Sequence, residues 1–404
     1  MIRSKLPKKE LQASVARGVH LLPRGVWALG FVSMLMDISS EMIHSLLPIF
    51  MVTTLGASVA TLGLVEGIAE ATAAVTKIFS GAISDYVGRR KMLAVAGYAL
   101  GAVSKPIFPL ATSIGWVFAA RCVDRFGKGI RGAPRDALVA DITPPNLWGT
   151  AYGLRQALDS LGAFLGPLLA LLLMIVVAGN IHTVMWVGVV PGFLAVLLLV
   201  LTVKETGTVG DGDNRKAPLV LADSRRLPPR FWLVVLIGAV FSLARFSEAF
   251  LVLRGQDVGL AAGYVPAIMI VMNVVYSVGA YPAGAAADIF KPRTLLATGI
   301  GMLVIADMVL AMAAAPWQVF LGAAIWGLHM ALTQGLLAKL VAETSPDDLR
   351  GTAFGVFHLV SGAAILLASV LAGFVWQLLG AQATFYTGAL FAAIAAIGGL
   401  AFHR

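Results

Sequence analysis

The chain has 404 residues, of which 59% are hydrophobic and only 13% are charged, whereas an average soluble domain is about 25% charged. The 30 Lys and Arg residues outnumber the 21 Asp and Glu residues, a balance that suits nucleic acid or a membrane surface. The apolar content decides for the membrane and against a soluble globule, so we expect a lipid bilayer around the chain and no nucleic acid.

Apolar stretches interrupted by glycine, proline and charge predict twelve membrane-spanning helices, because about 20 apolar residues cross a bilayer. The predicted ranges, in chain order, are 26–53, 59–84, 92–111, 114–140, 147–178, 181–203, 231–254, 260–286, 294–313, 316–342, 350–378 and 382–402.

The long polar interruption at 204–230, rich in glycine, proline and charge, predicts a flexible linker between two six-helix bundles, 26–203 and 231–404. The two halves also look related. Residues 139–153 align with 341–355, and 81–85 with 284–288, each at about half the chain length. Such spacing indicates a duplicated pair of bundles.

Lys and Arg residues concentrate in the basic segment 1–25, the loops after predicted helices 2, 8 and 10, the linker and the C-terminus. The opposite side carries only Lys105 and Arg254. The positive-inside rule therefore predicts that both termini and the linker lie in the cytoplasm. Segment 1–25 has no apolar run typical of a cleavable secretory signal, and we expect a protein of the cytoplasmic (inner) membrane.

The loop after predicted helix 2 reads Gly81-Ala-Ile-Ser-Asp85-Tyr-Val-Gly88-Arg89-Arg90-Lys91. It resembles the Gly-x-x-x-Asp-Arg-x-Gly-Arg-Arg loop of the major facilitator superfamily, with Tyr86 where the family usually has a basic residue. Together with the repeat and the helix count, the resemblance covers essentially the whole chain. It implies an all-α integral membrane protein of twelve transmembrane helices in two pseudo-symmetric six-helix bundles.

Predicted helix 5 carries a spaced set of small residues. Gly153, Gly162, Gly166 and Pro167 resemble the helix 5 pattern of the family's proton-linked efflux antiporters, with Ala170 in place of a closing glycine. The resemblance implies a carrier that expels a small molecule as protons enter. Independently of any family, Gly162 and Gly166 lie four residues apart, which predicts close approach of another helix, and Pro167 can kink helix 5.

Charged side chains inside membrane helices are costly, and they are functional candidates by default. On helical wheels, the charged residues of predicted helices 1 and 2 each share a narrow face. The charged and imidazole residues of helices 1, 2, 4 and 5 are Asp37, Glu41 and His44; Glu66, Glu70 and Lys77; Arg121, Asp124, Arg125, Lys128, Arg131, Arg135 and Asp136; and Arg155 and Asp159.

Two interpretations of this array remain open. In one, acids and bases form fixed salt bridges that hold helices together. This is expected for Arg155 with Asp159, for Arg135 and Asp136, and for Lys77. In the other, at least one carboxyl group binds a proton in one conformation, because burial favours its neutral form and a nearby arginine its ionised form. We predict Asp37 and Glu41 as the proton carriers.

Arg121 and Arg125 are the cations predicted to compete with the proton at those two acids, and Glu66 or Glu70 is the alternative carrier. His44 suits either a proton relay or a structural imidazole.

A set of charged and imidazole side chains on predicted helices 1, 4 and 5 is predicted to contact the substrate or to relay charge. Its members are His44, Arg121, Asp124, Arg125, Lys128, Arg155 and Asp159. Lys128 stands where the family's helix 4 pattern, Arg-x-x-Gln-Gly, has glutamine. The C-terminal half is much less charged, which predicts apolar substrate contact there, and Trp326, Phe354 and Phe357 either stack on a substrate or pack.

The loop after helix 2 and its copy predict a conformational latch. Asp85 can meet Arg89, or the positively polarised start of a helix from the other half, when the inner side is closed. The latch residues are Gly81, Asp85, Gly88, Arg89, Arg90, Asp288 and Arg293.

These features predict a secondary active transporter that acts as a monomer and exports a small organic solute by alternating access in exchange for protons. The alternative is a proton symporter or exchanger for an anionic solute such as a carboxylate, a phosphorylated metabolite or a metal chelate. No catalytic motif supports an enzyme. One cysteine, Cys122, and scattered histidines give no case for a bound metal or cofactor.

Overall fold

The computed structural model describes residues 22–87, 89–144, 147–203, 226–289, 292–346 and 349–401. Most of the predicted N-terminal segment and linker, residues 1–21 and 204–225, lies outside these ranges. The described chain contains twelve long helices: α1 (Arg24–His44), α2 (Val59–Val87), α3 (Arg90–Ser104), α4 (Ile114–Ile142), α5 (Trp148–Val176), α6 (Ile181–Thr202), α7 (Pro229–Ala244), α8 (Pro266–Ile289), α9 (Pro292–Ala311), α10 (Pro316–Thr344), α11 (Arg350–Leu379) and α12 (Ala381–Ala401).

Three of the twelve continue in shorter pieces. A short helix at Leu47–Ile49 and a π-helical turn at Phe50–Thr54 extend α1, and Ile107–Leu110 extends α3. Pro48 and Pro106 lie at these breaks, where a residue without a backbone N–H ends the regular hydrogen-bond ladder.

The break in helix 7 has a different origin, and the sequence did not predict it. A continuous helix was expected over 231–254, but the chain leaves α7 at Ala244 and resumes as Ala249–Asp257. No proline or glycine lies between them. Instead, the Ser247 N–H donates to Ser369 Oγ of α11 at 3.2 Å. Such backbone is tolerated at membrane depth where protein or a cavity surrounds it.

Nine helical stretches of the described chain are long and apolar enough to cross a membrane. Helix α4 is not among them, because five to seven charged residues interrupt its apolar surface over any span of this length. Helices that satisfy their own backbone hydrogen bonds are one of two structures that can span a bilayer. The architecture is that of an integral membrane protein.

The two halves contact each other through equivalent helices. Helix α2 packs on α11 and α5 packs on α8. Because α2 corresponds to α8 and α5 to α11 in the sequence repeat, one pair is the symmetry copy of the other. The expected arrangement of two pseudo-symmetric six-helix bundles is thereby confirmed.

The α2–α11 contact is closest at one end. A Cβ atom on Gly63 would lie 2.3 Å from the Ser369 carbonyl oxygen, and one on Gly373 would lie 2.8 Å from the Val59 carbonyl oxygen. Backbones approach this closely only where side chains are absent. The two halves are therefore packed tightly at the end where α2 begins.

The glycines of α5 differ in what they face. A Cβ atom on Gly162 would lie 2.7 Å from the Met34 carbonyl oxygen of α1, and one on Gly166 would lie 2.6 Å from Glu41 Cβ. A Cβ atom on Gly153 meets no described atom within 4 Å. The first two glycines thus allow α1 and α5 to touch, whereas Gly153 faces open space.

We expect Gly162→Ala to lower the stability of the folded protein by about 1–3 kcal/mol, because the added methyl overpacks the α1–α5 contact. The matched variant Gly153→Ala replaces a helical glycine in open space, and we expect its stability to be unchanged or slightly higher. Thermal unfolding in detergent measures both. Equal melting temperatures for the two variants would contradict the assignment of this contact.

Candidate functional site

A cavity of about 480 Å³ lies between the two halves. Helices α1, α2, α4 and α5 form one wall, and α8 and α11 form the other. A second cavity of about 280 Å³ extends the space to His44, Glu66 and the break in helix 7. The two cavities share Glu41, Glu70, Arg125, Lys128 and Ile365. They are adjoining parts of one central space.

Two parallel ion pairs join α2 to α4. Arg121 binds Glu66 through two hydrogen bonds, Nε to Oε1 at 2.9 Å and Nη2 to Oε2 at 2.5 Å. One turn further along both helices, Arg125 Nη1 lies 3.3 Å from Glu70 Oε1. The first pair is buried, with side chains 4% and 5% exposed. A bidentate buried pair is strong and geometrically fixed.

A buried network joins α1, α3 and α4. Lys105 Nζ donates to Asp124 Oδ1 at 2.7 Å and to Ser40 Oγ at 2.9 Å. His44 Nε2 lies 2.7 Å from Arg121 Nη1 and 3.6 Å from Asp124 Oδ2. Since arginine can only donate, Nε2 of His44 accepts this hydrogen bond in the neutral ring.

Lys105 was not among the predicted site residues, because the orientation argument assigned it to the outer surface. In the structure the residue is fully buried. One feature of the sequence indicated burial instead: Lys105, next to Pro106, is a single charge within an otherwise apolar stretch.

Four charges form a cluster at the opposite end of the cavity. Arg155 Nη1 donates to Asp159 Oδ2 at 2.6 Å, and Arg135 Nε donates to Asp136 Oδ1 at 3.0 Å. The two pairs are linked, because Arg155 Nε lies 3.7 Å from Asp136 Oδ1. This geometry agrees with the interpretation of these residues as fixed salt bridges.

Asp37 and Glu41 differ from the other acids of the N-terminal half. Both line the larger cavity, both are half-buried, and neither has an ion pair or hydrogen bond among the described residues. The α5 glycines lie behind them: a Cβ atom on Gly162 would be 3.0 Å from Asp37 Cβ. Arg121 and Arg125, expected beside these acids, are paired with Glu66 and Glu70 instead.

Lys128 is the cation that faces the two unpaired acids. Its side chain is exposed in the central space and lines both cavities, and within the described ranges it forms no ion pair. Asp37, Glu41 and Lys128 are thus ionisable groups presented to whatever occupies the cavity.

The C-terminal wall is polar but mostly uncharged, whereas apolar contact was expected there. Its cavity-lining polar side chains are Asn273, Tyr276, Ser277, His358 and Ser361. Trp326 is fully buried. The ring of Phe357 packs against Gly238 of α7, where an added Cβ atom would lie 2.5 Å from the ring. These two aromatics therefore pack within the C-terminal half and do not line the cavity.

Part of the predicted latch lies outside the described residues. Gly88 lies outside them altogether, and for Gly81, Asp85, Asp288 and Arg293 only the helical backbone is described. Arg89 directly precedes α3, and Arg90 Nη1 donates to Asp141 Oδ1 of α4 at 2.5 Å. This contact of Arg90 lies within the N-terminal half.

Known proteins resemble this chain over nearly its full length. The uncharacterized MFS-type transporter MJ1317 of Methanocaldococcus jannaschii is 32% identical over 384 residues, covering 93% of this chain and 94% of that protein. The inner membrane transport protein YajR of Escherichia coli is 27% identical over 389 residues, covering 92% of this chain and 81% of its own.

Among solved structures, a mutant of the nucleoside transporter NupG matches with a TM-score of 0.80 at 13% identity. The match covers 94% of this chain and all of that one, and at this identity it concerns the fold. The sequence profile of the Major Facilitator Superfamily matches residues 29–276 and 247–404. The twelve-helix architecture, the central cavity and these relatives agree, and the chain belongs to the Major Facilitator Superfamily of membrane transporters rather than to an enzyme family.

Proposed function

We propose that this transporter exports a small organic solute across the inner membrane in exchange for protons, with both termini in the cytoplasm. One observation carries the proposal. Asp37 and Glu41 line the cavity without an ion pair or hydrogen bond to any residue that the structure describes, whereas Glu66, Glu70, Asp124 and Asp159 each have a basic partner. An acid without a fixed counter-ion can gain or lose a proton without breaking a salt bridge.

The position of the two acids suits coupling to alternating access. The halves are packed tightly where Gly63 meets Ser369, and the cavity reaches Asp136, which is 44% exposed, at the other end. Solute entering from the cytoplasm meets Asp37 and Glu41 and displaces their protons. A ligand shifts a conformational equilibrium only by its differential affinity for the two states. Because proton and solute compete for the same two acids, each can favour a different conformational state, which supplies the differential affinity.

The paired charges have a supporting role in this scheme. The Glu66–Arg121 and Asp124–Lys105 pairs, with Ser40 bonded to Lys105, hold α1 to α4 together, so that the N-terminal half moves as a rigid body. His44 lies beside both pairs, at Arg121 and Asp124, and its neutral ring links them.

Three further arguments support export by a monomer of the inner membrane. The α5 glycine pattern resembles that of proton-linked exporters. YajR, similar over most of the chain, is named as an inner membrane protein. Residues of one chain also line both walls of the cavity, so no second copy is needed to form them.

The double variant Asp37→Asn/Glu41→Gln tests the proton carriers. In acid-loaded everted vesicles, a panel of radiolabelled solutes is added while a fluorescent dye reports lumenal pH. An exported solute should alkalinise the lumen, because protons leave as it enters. The double variant should reduce this solute-dependent proton flux to the background of vesicles without the transporter, because neither amide side chain can bind a proton.

The control for this experiment is Glu66→Gln, which leaves Arg121 buried without its counter-ion and should lower stability by about 3–5 kcal/mol. Asp37→Asn and Glu41→Gln, which break no ion pair, should melt close to the wild type. Full pH-dependent transport in the double variant would remove Asp37 and Glu41 as carriers. Lumenal acidification on solute addition would instead indicate symport.

Lys128 favours a second candidate function, transport of an anionic solute by symport or exchange. A lysine that lines both cavities without an ion pair among the described residues is a binding group for carboxylate or phosphate. Its neighbours Asp37 and Glu41 would then modulate anion affinity through their protonation.

The variants Lys128→Gln and Lys128→Arg separate the two candidates. If the solute is an anion, Lys128→Gln should weaken its binding by about 1.5–3 kcal/mol, the value of a hydrogen bond to a charged group. Lys128→Arg should retain most of the binding. Scintillation proximity binding with labelled members of the panel measures both. Equal affinity in all three proteins would exclude Lys128 as an anion-binding group.

A further inference from the structure

A carboxyl group of the C-terminal half lies buried outside the central cavity. Asp307 of α9 is fully buried, and neither of its oxygens has a hydrogen-bond partner among the described residues. An isolated carboxylate cannot stay ionised in an apolar interior and takes up a proton instead.

The surroundings of Asp307 are aromatic. A Cβ atom on Gly388 of α12 would lie 2.7 Å from Asp307 Oδ2 and 2.9 Å from Phe246 Cε1. The carboxyl group of Asp307 and the ring of Phe246 therefore both pack against Gly388. The Phe246 ring centroid lies 5.6 Å from Trp326 and 5.5 Å from Phe385. The Trp326 indole N–H is buried and also lacks a described partner. Native cores rarely leave such groups unsatisfied without a reason.

Phe246 separates this enclosure from the central space. It belongs to the break in helix 7 and also lines the smaller cavity, together with Glu66 and Arg121. The next residue, Ser247, donates through Oγ to Glu66 Oε2 of the N-terminal half at 3.3 Å. Movement of one half against the other therefore acts directly on the segment that covers Asp307.

The titratable groups around Asp307 are few. Helix α10 contributes His329, whose ring nitrogens have no described side-chain partner. Arg254 donates to the carbonyl oxygens of Leu310, Ala311 and Ala313 at the end of α9. The helix 7 break contributes Arg245 and Glu248, which lie 3.2 Å apart. On α12 the titratable residue is Tyr386, which is 43% exposed. No ion pair or hydrogen bond joins any of these groups to Asp307 in the described chain.

We infer that Asp307 is a second proton-binding site, which holds its proton in this conformation and exchanges it with the central cavity when Phe246 moves. The inference rests on the proposed proton coupling, but it concerns a different residue in the other half. One carboxyl group without further oxygen ligands does not form a metal-cation site, so the ligand is the proton.

Infrared difference spectroscopy of the purified transporter in lipid, recorded between acid and alkaline pH, tests the inference. The wild type should lose a carbonyl band of a protonated carboxylic acid as the pH rises, and Asp307→Asn should lack that band. Asp37→Asn/Glu41→Gln should retain it, so failure of the first proton site and failure of this one are distinguishable. Identical difference spectra for the wild type and Asp307→Asn would overturn the inference.

A second measurement needs no change at Asp307. Dicyclohexylcarbodiimide reacts with protonated carboxyl groups in apolar surroundings, and peptide mass spectrometry identifies the modified residue. We expect Asp307 to be modified in the wild type and modified faster in Phe246→Ala, which opens the enclosure. Thr384→Val, a buried change on α12, is the matched control and should leave the rate unchanged. Absence of modification in both the wild type and Phe246→Ala would also overturn the inference.

Discussion

The organisation of this transporter depends on one constraint: an ionised side chain inside a membrane protein must have a counter-ion, water or a proton. The N-terminal half meets the constraint mainly by pairing. Arg121 neutralises Glu66 and Lys105 neutralises Asp124, each across two helices. The result is a rigid wall of charges in which each buried partner depends on the other.

Several charged side chains without an ion pair among the described residues are located where water or solute has access. Asp37, Glu41 and Lys128 face the central space. Asp307 is an exception of another kind, because it has no partner among the described residues and does not line the central space. Such unpaired groups can change their protonation at the lowest structural cost, which is why the proposed coupling is assigned to them.

Close helix contacts position the exceptions. Gly162 and Gly166 bring α5 against the part of α1 that carries Asp37 and Glu41, and Gly63 brings α2 against α11. The pseudo-symmetry of the two halves is evident in these packing contacts, but the charges are not duplicated. One half supplies most ionisable groups, whereas the other presents amide, hydroxyl and imidazole side chains to the same cavity.

The sequence by itself determined the twelve helices, the duplicated halves, the family and the charged faces of helices 1, 2, 4 and 5. Apolar run length, repeats and helical periodicity are local properties of the chain. Partner choice was decided only by the tertiary structure: a helical wheel gives the face of Arg121 but not whether Glu41 or Glu66 lies opposite. The same holds for the burial of Lys105, the break in helix 7, which depends on Ser369, and the isolation of Asp307. Each depends on helices distant in sequence, because burial and electrostatic environment are set by neighbours in space rather than along the chain.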